Sequence, residues 1–153
     1  MSVTVWRIVK AKHQHDAFSG EGARLFGGRW SSPGVRVVYT AESRALAAME
    51  MLVHLDSQAM LAAYVLASVV IDEKFIQSID TKNLPPDWRS SPAPAELHAI
   101  GGHWRVTQAS VALRVPSVVI DGEFNTLLNP EHRDFKRLRI QPFVPFQFDS
   151  RLK

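Results

Sequence analysis

Short apolar segments rich in β-branched residues outnumber helical segments along this chain, and this balance most limits the folds it can adopt. They predict strands at 3–9, 35–41, 62–71, 111–120 and the start of 135–148. Apolar periodicity predicts a helix over 42–55, and a second helix is expected over 95–108, after a proline-rich connection at 84–94. This order predicts an α/β (mixed α+β) architecture. No linker is long enough to divide residues 1–153, so we expect a single domain.

Three other segments carry weaker signals. The glycine-rich stretch 22–34 predicts an ordered loop or a broken strand that ends in a Ser-Pro-Gly turn. The polar stretch 123–132 predicts a turn-like connection, and Pro116 predicts an edge position or a bulge within the strand over 111–120. Residues 135–148 predict a basic strand followed by a proline-broken apolar tail.

Composition and charge exclude several classes of protein. The chain is 46% hydrophobic and 22% charged, which is ordinary for a globular domain, and it has no cysteine for disulfides or thiolate metal sites. A net charge of +3 is compatible with a nucleic-acid surface or a pocket for a small anionic ligand. The chain has no long basic run that would favour a nucleic-acid surface. Neither a signal peptide nor a membrane-spanning segment is recognisable, so we expect a cytoplasmic protein that does not enter a membrane.

Glu50 is the one acidic residue in the helical stretch between Ser43 and Leu55. It falls on the shoulder of the apolar face, which is predicted to comprise Ala45, Leu46, Met49, Leu52 and Val53. A carboxylate there loses hydration energy unless it is paired or faces a polar cavity. Glu50 is therefore either a boundary residue that reaches water or part of a functional site.

Arg29 and Tyr39 are the other candidates near this helix. Arg29 lies in "GGRW", where glycines let a backbone approach a ligand and the guanidinium suits a phosphate; the alternative is an exposed arginine on a hairpin. The stretch is neither a Walker loop nor a GxGxxG fingerprint. Tyr39 ends a strand just before the helix, where it can pack in the core, stack on a flat ligand or donate a hydrogen bond.

Metal and nucleophile motifs are missing. The six histidines have no metal-ligand spacing, so no metal is expected, and Ser117 in "VPSVVI" is not in a GxSxG elbow. One alternative function is a basic RNA-binding or RNA-cleaving toxin that uses His13, His15 or His132 as acid and base. Another is a catalytically silent interaction module whose glycine loop binds a partner.

Seven short motifs nevertheless occur in a specific order between about residue 4 and residue 148. Together they resemble the RES domain, and they read "WRI", "GGRW", "VVYTAES", "AAMEMLVH", "IGGHW", "VPSVVI" and "NTLLNPEH". The resemblance implies a fold similar to that of ADP-ribosyltransferases. It also implies the toxin of a bacterial toxin–antitoxin pair that consumes NAD⁺ as its substrate.

The resemblance assigns roles residue by residue. It makes Glu50, Arg29 and Tyr39 catalytic, and the residues expected to bind NAD⁺ are Arg7, Arg29, Tyr39, Ser117 and Asn125. Two positions depart from the family pattern: Ser31 replaces a frequent asparagine, and Thr126 replaces an aromatic residue. Both departures are expected to affect the edge of the pocket more than the chemistry.

The expected reaction breaks the nicotinamide–ribose bond of NAD⁺. The acceptor stays open: water makes the enzyme a glycohydrolase, inorganic phosphate as co-substrate makes it a phosphorylase, and a protein side chain makes it an ADP-ribosyltransferase. The resemblance further implies an Xre-like antitoxin that covers the pocket in a hetero-oligomer and represses its own operon. Contact with DNA then comes only through the antitoxin.

Overall fold

A computed structural model describes residues 1–153 and contains three α-helices and one mixed sheet of eight strands. The helices are α1 (Glu21–Phe26), α2 (Arg44–Leu52) and α3 (Ala95–Thr107). The strands are β1 (Ser2–Lys10), β2 (Val38–Ala41), β3 (Tyr64–Asp72), β4 (Ile76–Ser78), β5 (Ala112–Pro116), β6 (Phe124–Leu128), β7 (Arg139–Ile140) and β8 (Val144–Phe146). Short 3₁₀ turns join several of them. No helix has the length and apolar character needed to span a membrane.

The sheet runs in the order β4-β5-β6-β2-β1-β3-β7, and β8 also pairs with β3. All neighbours are antiparallel except β4 and β5. β1 pairs with β3 along its whole length, but it meets β2 at the single pair Trp6↔Ala41. The β1–β2 pairing is therefore the shortest in the sheet, and Tyr39 lies next to it.

Strand alternation divides the core between the two faces of the sheet. On one face, α2 covers a cluster around Ile8, Leu46 and Leu66, while α3 and Trp30 cover a second cluster around Leu113 and Leu127. The opposite face carries a third cluster that includes Val5, Val38, Val69, Ile71 and Leu128. The candidate site lies on the same face of the sheet as the first two clusters, where Glu50 of α2 meets Asn125 of β6.

The mixed α+β fold and most strand and helix predictions are confirmed, but several details were wrong. The stretch 22–34 begins with α1 and continues as a turn closed by the bridge Gly28↔Ser31. The stretch 135–148 holds two separate short strands, β7 and β8, where a basic strand followed by a proline-broken apolar tail was expected. Pro116 is the last residue of β5, beyond the β4 pairing that ends at Arg114, so it does occupy a local edge.

The turn predicted at 123–132 was the largest error, because half of this stretch, Phe124–Leu128, is the interior strand β6. Its polar residues are typical of a turn, but they are accommodated inside the sheet, where Asn125 Nδ2 donates to the Thr40 carbonyl at 3.1 Å. The apolar face predicted for 42–55 was also partly wrong. Leu46, Ala47 and Leu52 are buried, whereas Ala45, Met49 and Val53 are exposed.

Candidate active site

The side chain of Glu50 is held by both of its carboxylate oxygens. Ser43 caps the N-terminus of helix α2, where its hydroxyl accepts the Leu46 amide, and the helix presents Glu50 half-buried toward the ends of β5 and β6. Asn125 Nδ2 donates to Glu50 Oε1 at 2.5 Å, and Ser117 Oγ donates to Oε2 at 3.3 Å. The carboxylate therefore has a fixed orientation. Ser117 and Asn125 lie 67 and 75 positions after Glu50 in the sequence.

Ser117 and Asn125 are themselves arranged to serve Glu50. The Ser117 hydroxyl accepts the amides of Val119 and Ile120 at 3.1 and 3.3 Å, so its one proton is directed at the carboxylate. The Asn125 amide group donates to the Thr40 carbonyl at 3.1 Å as well as to Glu50. Both neighbours are acceptors, which fixes the orientation of the amide.

Burial raises the pKa of Glu50 above its ordinary value of 4.5. The hydrogen bonds from Asn125 and Ser117 act in the opposite direction, and the nearby charge of Glu123 raises the pKa further. The protein thus keeps a carboxylate in a place that disfavours its charge, which is typical of a functional carboxylate.

Arg29 projects from the turn closed by Gly28 and Ser31. Its Nη1 donates to the carbonyls of Trp88 and Ser90 at 3.1 and 2.8 Å, and no carboxylate lies within 4.0 Å of it. Its Nε and Nη2 have no protein acceptor, and no buried side-chain nitrogen lacks a partner, so this edge faces accessible space. Partial burial lowers the pKa of Arg29. The free edge is the one that binds phosphate or carboxylate groups in a fork.

Tyr39 fixes the turn that carries Arg29. Its hydroxyl accepts the Trp30 amide at 3.0 Å and shares a 2.8 Å hydrogen bond with Ser31 Oγ. Its ring lies directly against Gly28, where an added Cβ would come within 2.6 Å of Tyr39 Cζ. Burial raises the pKa of Tyr39, so its hydroxyl keeps its proton near neutral pH.

Arg7 lies next to the single residue pair that joins β1 and β2. Its Nε donates to the Ala17 carbonyl at 2.9 Å and its Nη1 to the Tyr39 carbonyl at 3.0 Å. Alternation along β1 places it on the face opposite Trp6 and Ile8. Burial without a carboxylate partner lowers its pKa to about 10. Arg7 therefore braces the main chain of Tyr39 and is not placed beside Glu50 by any direct contact.

An open cleft of about 410 Å³ lies beside Ser117. Sequence reasoning missed most of its walls, which include Trp88, Arg89, Asp121, Glu123 and Phe124. Trp88 links the parts of the site, since it lines the cleft with Ser117 and its carbonyl accepts from Arg29. No group of three or more His, Asp or Glu side chains is placed to hold a metal ion.

The motif "IGGHW" contains a further residue that contacts the Arg29 turn, Gly101. In α3 the Gly101 backbone lies directly against the Trp30 carbonyl, so a side chain there would overlap the residue that follows Arg29. His132, by contrast, is buried with both ring nitrogens bonded to main-chain groups, those of Gln108 and Asp134. This arrangement makes His132 a structural residue.

The fold and the site define the class of this protein. It is a mixed α+β domain that holds a fixed, half-buried carboxylate, Glu50, and an arginine without a carboxylate partner, Arg29. Residues 4–149 match the model of the RES domain. The chain therefore belongs to the RES-domain family.

Named relatives agree with this membership. The chain is 37% identical over 151 residues to the protein "Toxin Res" of Yersinia enterocolitica, covering 97% of this chain and 99% of that protein. It is 34% identical over 157 residues to the "Prs ADP-ribosylating toxin" of a Sphingobium species, covering 99% and 98%. Its fold is similar to a chain in the crystal structure of the M. tuberculosis MbcT–MbcA toxin–antitoxin complex. That match has a TM-score of 0.77 and 22% identity, and covers 99% of this chain and 87% of the other.

Proposed function

We propose that this protein is the toxin of a toxin–antitoxin pair and that it cleaves the nicotinamide–ribose bond of NAD⁺. The observation that carries the proposal is the half-buried Glu50 carboxylate, whose two oxygens accept hydrogen bonds from Asn125 and Ser117. The name of the Sphingobium relative supports it, because ADP-ribosylation uses NAD⁺ as the donor.

The chemistry needs a fixed negative charge more than it needs an acid. When the N-glycosidic bond breaks, its electron pair goes to the nicotinamide nitrogen, and the pyridinium leaves as a neutral ring. Positive charge then develops on the ribose, in an oxocarbenium-like state, until an acceptor oxygen attacks the anomeric carbon and loses its proton. The ionised Glu50 stabilises that charge and accepts a hydrogen bond from a ribose hydroxyl.

The remaining site residues have supporting roles in the proposal. The free Nε–Nη2 edge of Arg29 binds the pyrophosphate, while Nη1 stays on the carbonyls of Trp88 and Ser90. Tyr39 holds the Arg29 turn through its hydroxyl, and its ring borders the nicotinamide end. Ser117 and Asn125 orient Glu50, which their geometry favours over direct contact with the substrate. Arg7 braces the main chain of Tyr39.

Arg29→Lys is expected to raise the KM for NAD⁺ about tenfold, while kcat changes less. A lysine can still donate to the carbonyls of Trp88 and Ser90, but it lacks the second edge that binds a phosphate in a fork. Steady-state kinetics of nicotinamide release measure this split. Arg133→Lys, a surface substitution with no ion pair to lose, is the matched control; an unchanged KM in Arg29→Lys would contradict the pyrophosphate role.

Asn125→Ala is expected to move the acid limb of the kcat/KM profile to higher pH. Asn125 holds the pKa of Glu50 down, so without it the carboxylate takes up its proton at a higher pH and activity is lost sooner as pH falls. Stability also falls by about 1 kcal/mol, because the Thr40 contact is lost. A pH series on wild type, Asn125→Ala and the exposed control Asn83→Ala checks this. An acid limb that stays in place would show that Asn125 does not act through Glu50.

Two experiments test the proposal and its acceptor. Incubation with NAD⁺, with and without phosphate, followed by chromatography, separates ADP-ribose from an ADP-ribose phosphate that appears only when phosphate is present. The Sphingobium relative favours a second candidate, transfer of ADP-ribose to a protein, which labelled NAD⁺ and a cell lysate would reveal. No loss of NAD⁺ under either condition would overturn both candidates.

The similar fold in an antitoxin complex supports a regulatory partner for this chain. We infer that an Xre-like antitoxin binds over the cleft in a hetero-oligomer and that it supplies the contact with DNA. Co-expression followed by size-exclusion chromatography tests this, with inhibition of NAD⁺ cleavage as the functional readout.

A further inference from the structure

A second glutamate, Glu123, directly precedes β6 and is paired with the end of β5. The register of these two strands places Pro116 opposite Phe124. The ladder continues by one more residue pair, because the Ser117 amide donates to the Glu123 carbonyl at 2.8 Å. Directly opposite residues of an antiparallel pair point to the same face of the sheet, with their Cβ atoms about 5 Å apart. The side chains of Ser117 and Glu123 therefore lie next to each other.

The face that Ser117 and Glu123 share is the face on which Glu50 lies. Ser117 Oγ donates to Glu50 Oε2 at 3.3 Å. Asn125, whose Nδ2 donates to Glu50 Oε1 at 2.5 Å, is two residues after Glu123, and such residues of a strand share a face about 7 Å apart. Glu123 thus adjoins both residues that hold the Glu50 carboxylate. Its negative charge is also one cause of the raised pKa of Glu50.

The fold makes no use of the Glu123 carboxylate. Glu123 bonds to Ile120 and Ser117 through its main chain, and its half-buried side chain forms no ion pair within 4.0 Å. No buried side-chain oxygen lacks a partner, so the Glu123 carboxylate faces accessible space. Of the two neighbouring carboxylates, that of Glu50 is held by donors on both oxygens, whereas that of Glu123 is free to accept a proton.

We propose that Glu123 is the base that accepts the proton of the attacking acceptor in the reaction assigned to Glu50. This inference rests on the proposed function. As nicotinamide departs with the electron pair of the glycosidic bond, the oxygen of a water molecule bonds to the anomeric carbon. One proton of that water passes to the Glu123 carboxylate, while Glu50 keeps its charge toward the ribose. Enzymes that hydrolyse glycosidic bonds with inversion use one carboxylate of a pair in the same way, to activate the water.

The test compares wild type, Glu123→Gln and Glu50→Gln with and without sodium azide. Glu123→Gln is expected to form ADP-ribose about 10²-fold more slowly, with little change in KM. Azide has no proton to lose, so it is expected to restore NAD⁺ loss in Glu123→Gln about tenfold and to yield an ADP-ribosyl azide. No comparable rescue is expected in Glu50→Gln, which lacks the charge that stabilises the ribose. The matched control is Glu73→Gln, a change at an exposed glutamate.

Melting temperatures give a second readout that needs no substrate. Glu123→Gln removes the repulsion from Glu50, so at neutral pH it is expected to melt about 1–3 °C higher than wild type. The gain is expected to be smaller when Glu50→Gln is already present. Equal gains in the two backgrounds would overturn the inference, because the carboxylates would then not lie side by side.

The two readouts separate this inference from the proposed function. A smaller gain in the Glu50→Gln background, in a protein whose wild type cleaves no NAD⁺, would overturn the proposed function and leave the carboxylate pair standing. A wild type that cleaves NAD⁺ and a Glu123→Gln variant that forms ADP-ribose equally fast would overturn the role of Glu123 alone. A higher KM with an unchanged kcat in Glu123→Gln would overturn that role too, because Glu123 would then bind the substrate.

Discussion

Glu50→Gln is expected to lower the kcat for NAD⁺ cleavage about 10²- to 10³-fold, the size of effect seen when a preorganised charge-stabilising group is removed. The amide keeps the shape of the side chain and can still accept from Asn125 Nδ2, which now donates to Oε1 at 2.5 Å. What it loses is the negative charge facing the ribose. The measurement is nicotinamide release under saturating NAD⁺.

Glu50→Gln is expected to lower activity without lowering stability. Burial raises the pKa of Glu50 in the folded protein, so the folded state binds a proton more tightly than the unfolded chain does. Stability is therefore lost as pH rises through the window between the unfolded value, near 4.5, and the folded pKa. Glu50→Gln removes that cost, so at neutral pH it is expected to unfold at the same or a higher temperature than wild type.

Glu73→Gln is the matched control, since Glu73 is exposed and its side chain has no hydrogen-bond partner in the protein. It should leave activity and melting temperature unchanged. A folded Glu50→Gln protein that retains wild-type kcat would refute the catalytic assignment. A variant that loses activity because it unfolds would show that Glu50 is structural.

Gly101→Ala is expected to destabilise the protein by about 3 kcal/mol or more, whereas Gly102→Ala is expected to stabilise it by up to about 1 kcal/mol. The neighbouring glycines lie in the same helix, α3. A Cβ on Gly101 would overlap the Trp30 carbonyl, and that contact is with main chain, so no side-chain rotation relieves it. A Cβ on Gly102 meets nothing within 4 Å and improves helix propensity.

Denaturant unfolding of the two variants measures the difference directly. Gly101→Ala should also lower NAD⁺ cleavage under conditions where it remains folded, because Trp30 follows Arg29 and shifts with it. Equal stabilities for the two variants would contradict the close packing of α3 on the Arg29 turn.

Patterns within short stretches of the sequence predicted three of the main elements, β1, β3 and α2. The alternation of β1, the apolar run of β3 and the periodicity of α2 are each visible within about ten residues. β6 was missed because the polar atoms of Asn125 and of the Thr126 main chain are satisfied by β2 and by Glu50, contacts that lie far away in sequence. Helix α1 was missed because it has two turns or fewer and glycines on both sides.

In the candidate site too, some residues could be recognised from the sequence alone and others only from contacts between distant residues. Glu50 and Arg29 stand out by residue type, one as a lone carboxylate in an apolar helix and the other between glycine and tryptophan. Their partners do not stand out. The direction of the Ser117 proton depends on the amides of Val119 and Ile120, and the place of Trp88 depends on core packing. Such relations exist only after the chain has folded.

The most direct test is a crystal structure of Glu50→Gln with NAD⁺ bound, because that variant should bind the dinucleotide without cleaving it. The anomeric carbon of the nicotinamide ribose is expected to face the residue at position 50. The pyrophosphate is expected to lie on the Nε–Nη2 edge of Arg29. A dinucleotide bound away from both groups, or bound with its pyrophosphate elsewhere, would contradict the account.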